Sequence, residues 1–325
     1  ALSLVESAIY KMVPKPGAEP APDLPDRLTK TGCVDPTDAR APAASLIPYA
    51  VSSELWSDGA TKERWLALPD GAAITIEPDG DLTAPPGSVL MQTFRVDGTR
   101  VETRLLVHHD DGVWAGYSYA WLPDGSDAVL LPSNERRTVG SGASARSWYF
   151  PSRSDCVRCH TAAAGRSLGL ELGQLDRDLV YAATNRLANQ LATWEHIGLF
   201  ATPPGAHAVL PDPTSGAPID ARARAYLHAN CSFCHRPGGG GPGGMDLRFT
   251  TALAGTGICD VPPVAGDLGV PGAHLLRPGD PSRSLLSLRA AARGPGRMPP
   301  LASDLVDDAG VSLLNGWIKT IAACR

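Results

Sequence analysis

Long hydrophobic runs are absent from this sequence of 325 residues, and no stretch approaches the roughly 18 consecutive apolar residues of a bilayer-spanning helix. Basic runs are absent as well, and the net charge is -5, so we expect no nucleic-acid partner. The N-terminal sequence ALSLVESAIYKMVPKPG lacks the basic start and apolar core of a secretory leader. Because the chain begins at Ala1 without a Met, we interpret it as an exported product, periplasmic or extracellular, whose leader has been removed, or as a fragment of a longer polypeptide.

Cysteine is scarce, and four of the seven cysteines lie in two copies of the pattern CxxCH, at residues 156–160 and 231–235. The other three are Cys33, Cys259 and Cys324. Cysteines outside a metal or haem site in an exported protein tend to pair, and three of them form at most one internal disulfide. Cys259 and Cys324 flank the second CxxCH segment and are the favoured pair, while three unpaired buried thiols remain the alternative.

The composition changes twice along the chain. Residues 1–45 are rich in Pro and Ala, which is typical of an extended segment that wraps over a domain or links to one. Residues 46–150 contain short runs of alternating apolar and β-branched residues, separated by turn sequences such as PDG, VDG and HDDG, and this pattern predicts an antiparallel sandwich or barrel. After residue 150 the strand pattern stops, and residues 175–199 predict a helix of six or seven turns. A helix leading into the second CxxCH and an amphipathic C-terminal helix are also predicted.

CxxCH is the attachment signature of c-type haem. Two thiols three residues apart reach the two vinyl-derived carbons of one porphyrin edge, and the adjacent imidazole becomes an axial ligand of the iron. A zinc ribbon would place its CxxC pairs much closer together than the 71 positions from His160 to Cys231. The motifs therefore predict two covalently bound haem c groups with their iron. The predicted thioether links are Cys156, Cys159, Cys231 and Cys234, and the predicted axial ligands are His160 and His235.

The sixth ligand of each haem iron is predicted from the chemical softness of the candidate side chain and from its place in the sequence. Met298 lies in the sequence GRMPPL, whose prolines stiffen the loop, and it is the expected sixth ligand of the second haem. The first haem has no such loop, because no Met lies between residues 160 and 230. His196 is the tentative ligand there, and an empty position is also possible. The other candidates are His109, His207, His228 and His274.

The motifs resemble an uncharacterised bacterial family of two-haem c-type cytochromes, and they are similar to the C-terminal cytochrome tail of some quinoprotein (PQQ-dependent) sugar dehydrogenases. The stretches that carry the resemblance are TGCVDP, LIPYAVSSELWSDGATKERWLALPDG, VETRLLVHHDDGVWAGYSYAW, CVRCHTAAAGRSLGLELGQLDRD, CSFCHRPGG and GDPSRSLLSLRAAARGPGRMPPL. They cover nearly everything from residue 31 onward. The resemblance implies an exported, haem-bearing, redox-active protein.

The expected fold class is α+β with several domains. An N-terminal antiparallel β-sandwich-like domain at 46–150 would be followed by two mainly α-helical cytochrome c segments, at 151–216 and 217–325. The expected function is electron transfer from a periplasmic dehydrogenase, for which a quinoprotein is the candidate, to a soluble cytochrome or an oxidase. The alternatives are a peroxidase-like oxidative enzyme with one open haem site, and a module that binds a carbohydrate or a partner through Trp56 and Asp58. A simpler interpretation places Trp56 in the β core and Asp58 in a turn.

Overall fold

The computed structural model describes residues 2–5, 8–11 and 24–324 of the chain. Strands account for 26% of the structure and helices for 22%, so the protein is mostly β. The prediction of two mainly α-helical cytochrome c segments is therefore wrong. After residue 150 the described chain forms short helices joined by long loops and one further β-hairpin. No helix among the described residues is long and apolar enough to cross a membrane.

The described residues before position 151 form fourteen strands. In chain order they are β1 (Leu2–Val5), β2 (Ala8–Lys11), β3 (Val34–Asp35), β4 (Asp38–Pro42), β5 (Ile47–Tyr49), β6 (Thr61–Ala67), β7 (Thr75–Ile76), β8 (Leu82–Thr83), β9 (Val89–Val96), β10 (Thr99–His108), β11 (Trp114–Trp121), β12 (Ala128–Leu130), β13 (Glu135–Val139) and β14 (Arg146–Phe150).

One antiparallel sheet of six strands dominates this half, in the order β12-β11-β10-β9-β6-β5. Strand side chains alternate between the two faces of a sheet, so the sequence VLMQTFRV of β9 places Leu90 and Gln92 on one face and Met91 and Thr93 on the other. The other sheets in the described part of the chain have two strands each. The predicted sandwich is therefore corrected to a single large sheet, and its two faces are covered by chain from outside it.

Each face of the main sheet carries its own core. The Met91 face packs against residues that include Leu28 and Val34, so residues 24–39 of the Pro/Ala-rich segment 1–45 wrap over the sheet. Its residues 1, 6–7 and 12–23 lie outside the described part. The opposite face buries Leu90 against residues from the chain around the first CxxCH motif, including Trp194. This second core attaches the first motif segment to the β domain.

The elements after residue 150 are short. They are α1 (Arg153–Cys159), α2 (Leu172–Leu175), β15 (Asp178–Tyr181), β16 (Arg186–Asn189), α3 (Gln190–His196), α4 (Ile219–Cys231), α5 (Leu285–Ala291) and α6 (Asp308–Thr320). The helix α6 buries Leu314, Trp317 and Ile318 on the face that the sequence predicts. A disulfide joins Cys259 to Cys324, which is the pair favoured from the sequence, and it ties the C-terminus to the core under α4 and α6.

The predicted long helix at 175–199 is wrong. Strands β15 and β16 pair as a hairpin from Asp178↔Asn189 to Tyr181↔Arg186, and only the last part of the segment is helical. A helix over 175–199 would place Leu187 on the same apolar face as Leu191 and Trp194, but Leu187 is 67% exposed. A helical spacing of apolar residues does not produce a helix when half of those residues find nothing to pack against.

Replacing Asn189 with Ala distinguishes the observed hairpin from a continuous helix. In the structure Asn189 caps α3, because its side-chain oxygen accepts a hydrogen bond from the Ala192 amide at 3.0 Å. We expect the substitution to lower the free energy of unfolding by about 1 kcal/mol in chemical denaturation. In a continuous helix the same change would be stabilising, since Ala is the better helix former. As a control, Asn185→Gly should be neutral or stabilising, because Asn185 has a positive φ of 50° that glycine adopts freely.

Candidate functional site: two CxxCH segments and their cavities

Helix α1, which carries the first motif, begins at a capping box. The Ser152 side chain accepts a hydrogen bond from the Asp155 amide, and the Asp155 carboxylate accepts one from the Ser152 amide at 3.0 Å. Tyr149 also donates to this carboxylate, at 2.7 Å. Burial opposes ionisation of Asp155, but the hydrogen bonds from Ser152 and Tyr149 outweigh it and hold the pKa below its usual value. The start of the helix is thereby fixed to the end of β14.

A glycine in the main sheet allows the first motif to approach closely. A Cβ atom on Gly116 of β11 would lie 2.5 Å from the Sγ atom of Cys156 and 2.8 Å from its Cβ. No real side chain tolerates that distance, so the contact between α1 and the sheet requires glycine at this position. The sequence shows Gly116 as an isolated glycine within a strand pattern, which is a signal for close approach.

His160 follows α1 and is held in one orientation. Its Nδ1 atom donates to the carbonyl oxygen of Arg166 at 2.5 Å. Burial lowers the pKa of His160 to about 4, so the imidazole is neutral near pH 7. With the proton on Nδ1, the Nε2 atom is left as an unprotonated base. His160 lines two adjoining cavities, which we call the first-motif cavity, shared with Cys156 and Cys159, and the inter-segment cavity, shared with Arg64 and Arg104 of the sheet.

The second motif lines a separate, mainly apolar cavity, which we call the second-motif cavity. Helix α4 ends at Cys231, and this cavity brings together Cys231, Cys234, His235 and Met298. A Cβ on Gly241 would lie 2.5 Å from the His235 Nδ1 atom, so the Gly-rich loop needs glycine there to pack on the ring. Burial lowers the pKa of His235, and its Nδ1 atom is buried without a hydrogen-bond partner among the described residues.

The loop after Met298 is clamped by the β domain. The carboxylate of Asp58, which is 3% exposed, accepts hydrogen bonds from the backbone amides of Asp304 at 3.1 Å and Leu305 at 2.9 Å. Trp56 Nε1 donates to the Leu305 carbonyl oxygen at 3.0 Å. Asp58 lies in the predicted turn, which the Ala60 amide closes on the Ser57 carbonyl oxygen at 2.9 Å. Trp56 is half-buried, so it lies neither in the β core nor in a free binding patch. Sequence reasoning missed the clamp, because its two halves lie about 250 residues apart and no local signal connects them.

The two motifs touch. The thiols of Cys159 and Cys234 interact, and this interaction lowers the pKa of Cys234 and raises that of Cys159. The Cys234 Sγ atom also lies 3.9 Å from the carbonyl oxygen of Arg158. Phe233, which is 7% exposed, lines all three cavities. The side chains of the second motif therefore form part of the wall around the first.

The structure brings together some predicted site residues and leaves others apart. His196, the tentative sixth ligand near the first motif, is exposed at the end of α3 and lines none of the three cavities. Of the other candidates, His228 lines the inter-segment cavity with His160. Both of its ring nitrogens are engaged, Nε2 with Glu171 at 2.7 Å and Nδ1 with the Phe249 amide at 2.9 Å.

The remaining candidate histidines have partners of their own. His109 bonds the Tyr117 hydroxyl, His207 bonds Asp176, and His274 bonds the Gly272 carbonyl oxygen.

The cofactor prediction, two covalently bound haem c groups with their iron, is corrected. Among the described residues no group of three or more His, Cys, Asp or Glu side chains is arranged to hold a metal ion. His160 and His235 lie in different cavities and do not converge with further side chains of these types into such a group. What the structure shows in its place is two thiol-and-imidazole segments in contact, each beside a cavity.

Comparisons with known protein families, with curated proteins and with solved structures found no match for this chain. The resemblance described from the sequence therefore stays a prediction.

Proposed function

We propose that this chain is an exported electron-transfer protein that accepts electrons from a periplasmic dehydrogenase and passes them to a downstream acceptor. The observation that supports the proposal best is the contact between the two CxxCH segments through Cys159 and Cys234. An electron-carrying group held at one motif would therefore lie beside the other motif, and the short distance would favour transfer between the two.

The surroundings of the two segments differ in a way that suits transfer in one direction. The second-motif cavity is lined mainly by apolar side chains, together with Met298, whereas the cavity that His160 of the first segment faces carries charged side chains beside the apolar ones. Polarity and burial around a redox site change its reduction potential. Two sites in such different surroundings have different potentials, so one is the entry point for electrons and the other the exit.

The compartment in the proposal is supported by the covalent structure. Cys259 and Cys324 form a disulfide, and such bonds form and persist in oxidising compartments such as the periplasm.

Paired cysteine substitutions test the proposal. The protein, purified from the periplasm, is titrated electrochemically while its absorption spectrum is recorded. We expect two reversible redox transitions in the wild type, one of which is lost in Cys156→Ser/Cys159→Ser and the other in Cys231→Ser/Cys234→Ser. The buried Cys33, which lies in the core on the opposite face of the sheet, provides the control, and Cys33→Ser should keep both transitions.

The same samples identify the electron-carrying group, from the visible spectrum and the intact mass. A wild-type protein that shows no reversible electron uptake, or one whose transitions survive both paired substitutions, would contradict the proposal.

A further inference from the structure

We infer that the inter-segment cavity binds the carboxylate of an amphipathic organic anion, through a row of three side chains on the main sheet. This inference goes beyond electron transfer, and it depends on the register of the strands. Arg64 of β6 is paired with Gln92 of β9, and Gln92 is paired with Arg104 of β10. Residues paired across neighbouring strands project to the same face, and all three line the cavity. We call them the Arg-Gln-Arg row.

The row presents donors that the protein itself does not fully use. Gln92 makes no side-chain hydrogen bond to any described residue, although it is only partly exposed. Arg64 is 8% exposed, and its Nη1 atom donates a hydrogen bond to Glu54 at 3.0 Å. A guanidinium has five N–H donors in a planar fork that matches the two oxygens of a carboxylate. A buried arginine beside an unpartnered amide is an arrangement that an anionic ligand completes.

The charges around the row favour a single carboxylate over a more highly charged group. Arg64 and Arg104 line this end of the cavity, and Lys62 shares Glu54 with Arg64. Glu54 and Glu102 balance two of these three cations, which leaves one positive charge. On the far wall Asp81 is paired with Arg236 and Glu171 with His228, so that wall adds no net positive charge that would attract a phosphate dianion or a polyanion.

The rest of the cavity fits an apolar body. The row next to the Arg-Gln-Arg row consists of Leu66, Leu90 and Leu106, and the last two of these line the cavity. Phe94 and Phe233 line it as well. The cavity has a volume of about 170 Å³, many times the space that one water molecule needs. An organic acid with an aromatic or aliphatic body therefore fits the cavity, because its carboxylate can bind the Arg-Gln-Arg row while its body contacts the apolar side chains.

The ligand that fits these features is a free organic acid. Cys156→Ser/Cys159→Ser is a second control, because those two thiols line the adjoining first-motif cavity and not the inter-segment cavity. This variant should bind benzoate as the wild type does.

Benzoate titrated into the purified full chain, followed by calorimetry, tests the inference. We expect Arg64→Gln to weaken binding at least tenfold and Gln92→Leu to weaken it severalfold. Neutral benzamide, which has the same shape, should bind at least tenfold more weakly than benzoate. The matched control is Arg95→Gln, which also removes an arginine paired with one glutamate, Glu63, but on the opposite face of the sheet.

Three results would overturn the inference. The first is that neither the wild type nor the cysteine variant binds benzoate at millimolar concentration. The second is that Arg64→Gln binds benzoate as tightly as the wild type, and the third is that Arg95→Gln loses as much benzoate affinity as Arg64→Gln. Circular dichroism and the melting temperature show whether each variant is folded. None of these readouts measures electron uptake, so the inference and the proposed function fail separately.

Discussion

Replacing Arg104 with Leu is expected to lower the free energy of unfolding by about 3–5 kcal/mol, because it leaves a fully buried carboxylate without its cation. Glu102 is 0% exposed, and Arg104 holds both of its oxygens, at 2.9 and 2.8 Å. Trp148 Nε1 donates to the same carboxylate at 2.9 Å, but a neutral donor does not replace the lost charge. The measurement is chemical denaturation at neutral pH, with the wild type in the same buffer.

A second variant tests the cause of this effect. Adding Glu102→Gln to Arg104→Leu removes the uncompensated charge and keeps an acceptor for Trp148, so it should recover most of the lost stability. Arg104→Leu unfolding at the same denaturant concentration as the wild type would contradict this account.

Replacing Gly116 with Val should both destabilise the protein and displace the first motif. Even the Cβ atom would overlap the Cys156 side chain, at 2.5 Å from its sulfur, and the two further methyl groups enlarge the overlap. Because Cys156 is anchored in α1 and Gly116 in the main sheet, neither side moves without breaking packing. We expect a loss of about 3 kcal/mol in the free energy of unfolding.

The displacement is measured by hydrogen exchange. Backbone amides of α1 should exchange faster in Gly116→Val, while those of α6, in a separate core, should keep their protection. Gly205→Ala is the matched control, since Gly205 has no neighbouring atom within 4 Å of a built Cβ. If α1 keeps wild-type protection in Gly116→Val, the contact between the motif and the sheet does not hold the helix in place.

The strands of the β domain were predictable because their signal is local. Alternating apolar residues bounded by PDG and VDG turns predicted the segments that form β6, β9, β10 and β11. The hairpin β15–β16 was not predictable in the same way, since its apolar residues fit a helical period equally well. Whether this segment forms a helix or a hairpin depends on which side chains have a core to pack against. Trp194 packs in the core on the Leu90 face of the sheet, whereas Leu187 is exposed.

The candidate site also has features that the local sequence shows and features that only long-range contacts create. The spacing of the two CxxCH segments is visible in the sequence, and so is the Met298 loop that reaches the cavity of the second segment. The Arg-Gln-Arg row is invisible there, because its members are separated in the chain and meet through strand register. The clamp of Asp58 on Leu305 is hidden for the same reason.

The amino-acid sequence by itself determined where the thiols and imidazoles stand relative to one another within each pentapeptide, and which segments alternate as strands, because both depend on neighbours a few residues apart. Three contacts are decided only by the tertiary structure. Cys159 interacts with Cys234, and Cys156 packs directly against Gly116. Arg64 and Arg104 line the same cavity. These contacts join chain segments far apart in sequence, and packing and strand pairing choose them after the local pattern has been satisfied.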